Sequence, residues 1–164
     1  MNNPDAAWEA RVADLWQALD TYAPEDFVAR LDLLVGELPP DDAIGHFERG
    51  SARDSIGNSR LAVPLYRAAL EAGLSGLRRR RAVIQMASSL RNLGDARQAA
   101  ELLSTELDAT SDELDGAVRA FLALALVDLG REREAVAVSL TALARYLPRY
   151  NRSLANYAGD LTDR

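Results

Sequence analysis

Apolar side chains recur at helical intervals along almost the whole chain. Trp8, Val12, Leu15 and Leu19 follow Pro4, and Phe27, Leu31, Leu34 and Leu38 follow Pro24, each set spaced to line one face of a helix. A proline in the first turn is compatible with helix initiation, because its missing N–H would have had no partner there. Leu38-Pro39-Pro40 ends this pair, and Asp41-Asp42 places negative charge where the next helix dipole begins. No stretch alternates with period two for long, so no strand is predicted. Beyond residue 41, glycine marks the rhythm. Gly57, Gly94 and Gly130, spaced by 37 and 36 residues, each close an amphipathic run and are soon followed by another. A period of that length with a short turn inside each repeat predicts a helical solenoid.

The residues inside these repeats carry a resemblance. First helices read Arg49-Gly50-x-x-Arg53, Met86-Ala87-x-x-Leu90 and Leu122-Ala123-x-x-Leu126. Second helices read Ala62-x-x-x-Tyr66, Ala99-x-x-x-Leu103 and Ala135-x-x-x-Ser139, with Ala69 and Ala142 at the next small site. Small residues let paired helices approach, and larger ones fill the groove between them. The pattern, over roughly residues 41 to 148, resembles the tetratricopeptide repeat family. Arg49 and Arg53, Glu106 and Ser139 depart from it, standing where apolar, small and aromatic residues are usual. The segments FERGSARDSIG (47–57), RRRAVIQMASSLRNLG (79–94) and LPRYNRSLANYA (147–158) are also similar to a group of small, uncharacterised bacterial tetratricopeptide proteins. The resemblance implies an all-α, right-handed superhelix of antiparallel helix pairs, about eight helices in one domain over residues 1–164. Its parts are an N-terminal pair at 4–38, repeats at about 41–74, 76–109 and 111–147, and a capping helix at 149–161. It also implies a protein-interaction function and dimerisation, with a homodimer as the expected self-association.

Composition narrows the chemistry. The chain has no cysteine, which excludes disulfides, thiolate metal sites and cysteine nucleophiles. All nineteen basic residues are arginine, so Schiff-base chemistry and the lysine phosphate loop are excluded; a GC-rich bacterial coding bias gives such usage. Residues 1–5 lack a signal-peptide layout, and the most apolar stretch, Val118 to Leu129, is too short to span a bilayer and carries Arg119 and Asp128. These features predict a soluble, cytoplasmic protein. The net charge of −6 argues against nucleic acid as a partner. Arg78-Arg79-Arg80-Arg81 steps around the helix and cannot face one phosphate backbone, and the cluster Arg145, Tyr146, Arg149, Tyr150, Arg152 is read as a solvated face. His46 is the only histidine. No nucleophile elbow, dinucleotide fingerprint or metal-helix motif occurs. No catalytic residue, metal or cofactor is expected.

In such a superhelix the first helix of each repeat lines the concave surface. The groove is expected to hold Phe47, Glu48, Ser51 and Asp54, with Arg81, Gln85, Ser88, Arg91 and Asn92 from the next repeat. That polar floor, with arginine forks, suits an extended peptide. It also suits a small ligand or signalling peptide that the protein would sense. The competing structural reading is that Arg53, Arg91, Asp54 and Glu48 pair with one another. Phe47, Ser51, Gln85 and Phe121 stand where chaperone-binding members carry their lysine and asparagine clamp, so a chaperone tail is not expected. Phe121, Leu124 and Val127 need a cover. Two are available: the C-terminal helix with Tyr150, Leu154 and Tyr157, or a second copy of the chain.

Overall fold

The computed structural model describes residues 4–109 and 111–162. Among them are nine α-helices, one 3-10 turn and no strand: α1 (Ala6–Gln17), α2 (Pro24–Val35), α3 (Ala43–Ser55), α4 (Ser59–Glu71), α5 (Gly76–Asn92), α6 (Ala96–Ala109), α7 (Asp115–Asp128), α8 (Glu132–Ala144) and α9 (Asn151–Asp160). The expected all-α fold is present, and the expected N-terminal pair, three repeat pairs and C-terminal helix come to nine helices among the described residues. The chain divides within α5 into two compact units, residues 1–82 and 83–164, each described by itself.

Local chemistry sets the helix ends. Asp5 accepts the Trp8 amide at 2.7 Å and Asp42 accepts the Gly45 amide at 2.8 Å, capping α1 and α3. The three rhythm glycines have φ of +79° (Gly57), +92° (Gly94) and +70° (Gly130), a region where a side chain is strained. Each sits in the same double-bonded turn. The Gly57 amide donates to Asp54 and the Asn58 amide to Arg53; Gly94 and Asp95 repeat this on Arg91 and Leu90, and Gly130 and Arg131 on Val127 and Leu126. This is the Schellman stop, which satisfies two otherwise orphaned carbonyls at each helix end.

In the N-terminal unit, Trp8, Val12, Phe27, Leu31, Val35 and Ala52 form one core. Trp16 meets Phe27 edge to face at 4.9 Å, and the Trp8 indole donates to the Leu34 carbonyl at 2.8 Å. The arginines that depart from the repeat pattern have a structural use. Arg53 grips Asp32 of α2 with two 2.7 Å hydrogen bonds, and Arg49 approaches the same carboxylate at 3.6 Å. The next helix pair closes on a small residue: a Cβ at Gly50 would lie 3.0 Å from two ring carbons of Tyr66. In the C-terminal unit, Leu103, Val118, Leu122, Ala125, Leu126 and Ala135 are buried. Asp115 accepts from Ser111 at 2.7 Å and from Arg145 at 2.8 Å. Helix α9 packs against α8. Leu124 and Val127 of α7 remain 45% and 50% exposed.

The Gly50–Tyr66 contact yields a direct test. Gly50→Ala forces the ring or the helix to shift, and overpacking costs about 1–3 kcal/mol. A lowered thermal midpoint with unchanged helicity is expected; an unchanged or raised midpoint would mean that α3 and α4 have slack at this contact.

Candidate peptide-binding cleft

The middle of α3 brings one charged side chain, Glu48, to the wall of a cleft. Glu48 is 3% exposed, Ser51 is buried beside it, and Phe47 is fully buried. A carboxylate withdrawn from water this far needs donors, and α1 and α5 supply them. The Trp16 indole N–H donates to Glu48 Oε2 at 2.8 Å, and Arg78 Nε lies 3.3 Å from Glu48 Oε1. Arg78 then spends both terminal nitrogens on the two oxygens of Glu9. The hydrogen bonds to Glu9 are the main reason its guanidinium holds its proton more tightly than usual. Burial is the main influence on Glu48 and pushes its carboxyl above the ordinary range, against the lowering effects of Trp16, Arg78 and Arg81.

Around this node lies a cleft of about 290 Å3, lined by Glu9, Val12, Ala13 and Trp16 of α1, Glu48 of α3, and Arg78 and Arg81 of α5. Arg81 is exposed, its guanidinium 5.2 Å above the centre of the Phe47 ring. That stacking orients the planar fork, and its charge also acts on Glu48 in the cleft wall. Asp54 accepts from the Tyr66 hydroxyl at 3.3 Å; burial foremost, and the Asp54 charge after it, keep that phenol protonated.

The expected groove residues are thus distributed over both units. Phe47, Glu48, Ser51, Asp54 and Arg81 belong to the N-terminal unit, and Gln85, Ser88, Arg91 and Asn92 to the C-terminal one. In the latter, Gln85, Ser88 and Arg91 are half-buried and Asn92 is exposed. Arg91 is committed to Asp128 of α7, its Nε at 2.5 Å from Oδ2. The suggested mutual pairing of Arg53, Arg91, Asp54 and Glu48 is corrected by these contacts: Arg53 is held by Asp32, Arg91 by Asp128, and Glu48 by Trp16 and Arg78. Phe121 and Leu154 are half-buried, and Tyr150 and Tyr157 are exposed. Glu9, Trp16 and Arg78 were not expected in the cleft. Glu9 and Trp16 are seven residues apart, two helical turns, a spacing that puts them on one face of α1. Arg78 was read only as part of a basic run.

No group of three metal-ligating side chains occurs among the described residues, and no helix there is long and apolar enough to cross a membrane. Against known families, the profile described as "Tetratrico peptide repeat" matches residues 43–161. The chain belongs to that family. The match starts at the first residue of α3 and runs through α9, so it takes in the capped helix pairs. A solved structure named "MamA MSR-1 C2" is similar over 97% of this chain and 82% of its own, at 18% identity and a TM-score of 0.63; this likeness concerns the fold. No curated protein matches the chain. The tetratricopeptide fold is a protein-interaction scaffold, in which stacked helix pairs present extended binding surfaces.

The raised Glu48 proton affinity makes a signed prediction. A folded-state pKa above the unfolded value means that ionised Glu48 weakens the fold above its folded pKa, and that the penalty vanishes below the unfolded one. Glu48→Gln keeps an acceptor for Trp16 and leaves Arg78 on Glu9. It should therefore melt above the parent at neutral pH, the margin shrinking as pH falls through the carboxylate range. A variant that melts below the parent at neutral pH would show that the Arg78 contact outweighs desolvation.

Proposed function

We propose that this tetratricopeptide protein is a non-catalytic scaffold that binds a protein or peptide in the cleft between α1, α3 and α5, and that it self-associates. The observation that carries the reading is the disposition of charge in that cleft. Half-buried Arg78 is held by Glu9 and by buried Glu48, whereas exposed Arg81 is braced on Phe47. A prepaid internal network with one presented guanidinium suits a partner that brings a carboxylate, either an acidic side chain or a chain terminus. A volume of about 290 Å3 with polar walls accommodates one or two side chains of an extended peptide. It is smaller and more polar than the usual small-molecule pocket, which places the ligand-sensor reading second. Gln85, Ser88 and Asn92, in the C-terminal unit, are candidates for partner contacts of their own. Arg91 is assigned to the fold: reversing its charge would set a carboxylate against Asp128. Self-association draws on the exposed side chains of the C-terminal unit, among them Leu124, Val127, Tyr150 and Tyr157.

Selection of randomised peptides on the immobilised full chain tests the cleft. Recovered sequences should carry Asp, Glu or a free C-terminal carboxylate. Arg81→Glu should weaken them at least about tenfold, the scale of one charge-assisted hydrogen bond, with a lowered melt because it sets a carboxylate near Glu48. Arg81→Met, which keeps the apolar contact to Phe47, should weaken them by a smaller factor with the melt nearly unchanged. Peptides that bind all three forms equally would contradict the assignment.

A further inference from the structure

Two surfaces of the chain are complementary to each other, and neither belongs to the cleft. The first spans residues 141–158, which hold Arg145, Arg149 and Arg152 and no acidic residue, while the rest of the chain has sixteen arginines against twenty-five carboxylates. Asp115 takes up Arg145, whereas Arg149 and Arg152 are exposed. Between them stands Tyr150, 77% exposed and at a backbone φ of +65°, where a side chain other than glycine is disfavoured. A strained, outward tyrosine flanked by arginines has the composition of an interface hot spot.

The second surface lies in the N-terminal unit. Residues 12–29 hold Asp14, Asp20, Glu25 and Asp26 and no basic residue; all four acids are exposed. Beside them, α1 and α2 enclose a cleft of about 410 Å3 whose apolar lining includes Leu15, Leu33, Leu34 and Tyr22. Leu33 is 76% exposed. Two basic residues border this cleft. Arg11 is forked onto Glu37, and Arg30 lies over the Tyr22 ring at 4.6 Å. Arg30 keeps its charge over the ring, so Arg11 and Arg30 balance Asp14 and Glu37 in the cleft lining, and the net negative charge beside it comes from Asp20, Glu25 and Asp26.

We infer that copies of this chain associate head to tail, with Tyr150 of one copy entering the α1–α2 cleft of the next and Arg149 and Arg152 meeting the acidic segment from Asp14, near the end of α1, to Asp26, in the first turn of α2. The occupant is a second copy because both the basic aromatic projection and the acidic, apolar socket are present on one sequence. Such a contact is heterologous and leaves a socket and a projection free at its two ends, so association grows with concentration rather than stopping by symmetry at a dimer. The inference rests on the self-association part of the proposed function and is independent of peptide binding at Arg81.

Light scattering of the full chain over a range of concentrations, in low and high salt, tests it with two double variants. Arg149→Glu/Arg152→Glu makes the projection acidic, and Asp14→Arg/Asp20→Arg reverses the charge at the two acidic positions nearest the end of α1; circular-dichroism melts check that both fold. The parent mass should rise with concentration and fall in high salt. Each variant alone should remain a monomer, and their equimolar mixture should associate again, because each supplies the charge the other lost. A parent that is monomeric throughout, or a mixture that fails to recover, overturns the inference. So does association that ignores salt and survives both variants while being lost in Leu124→Glu/Val127→Glu; self-association would then stand, through a different face. A mass that rises only on adding single-stranded oligonucleotide also overturns it, by assigning the arginine–tyrosine surface to nucleic acid.

Discussion

Glu48 is charged chemistry placed in the middle of a helix where water does not reach, and much of the N-terminal unit is arranged around that cost. An ion withdrawn to this depth must be met by donors or give up its charge. Trp16 brings α1 to it, and Arg78 brings the start of α5. Arg78 in turn fixes Glu9, so three helices that are distant in sequence converge on one carboxylate. The desolvation still shows in the raised proton affinity of Glu48. A buried network of this kind is a weak source of stability and a strong source of specificity in how helices meet. Here the geometry it sets is the cleft itself, with Arg81 left at its edge.

The helical architecture was legible in the sequence because its signals are local. Apolar spacing, Pro24 at the start of α2, and Gly57, Gly94 and Gly130 at helix ends each act within a turn or two, and each forms the turn its chemistry requires. Gly50 was legible for the same reason: a missing side chain in a helix that must approach another has a steric meaning, and Tyr66 fills the space.

Long-range polar partners were not legible. Glu48 was marked as a groove residue, yet nothing near residue 48 points to Trp16 or Arg78, thirty-two positions before it and thirty after. The arginine run shows why. Four identical residues differ only in their angle around α5: Arg78 joins the ion network, Arg80 is buried, and Arg81 stacks on Phe47. Periodicity establishes that they separate; only the positions of neighbouring helices decide where each goes. Arg91 made the same point in reverse, since its partner Asp128 lies two helices further on.

The two tryptophans give a direct readout of whether partners enter this cleft. The Trp16 indole N–H bonds Glu48 in its wall, whereas the Trp8 indole N–H bonds the Leu34 carbonyl in the core. In a nitrogen–proton NMR spectrum each gives its own side-chain resonance. Titration with an acidic peptide selected on the full chain should move the Trp16 resonance and leave that of Trp8 in place. A peptide that binds yet leaves Trp16 unmoved, or moves both equally, would contradict the cleft as the recognition site.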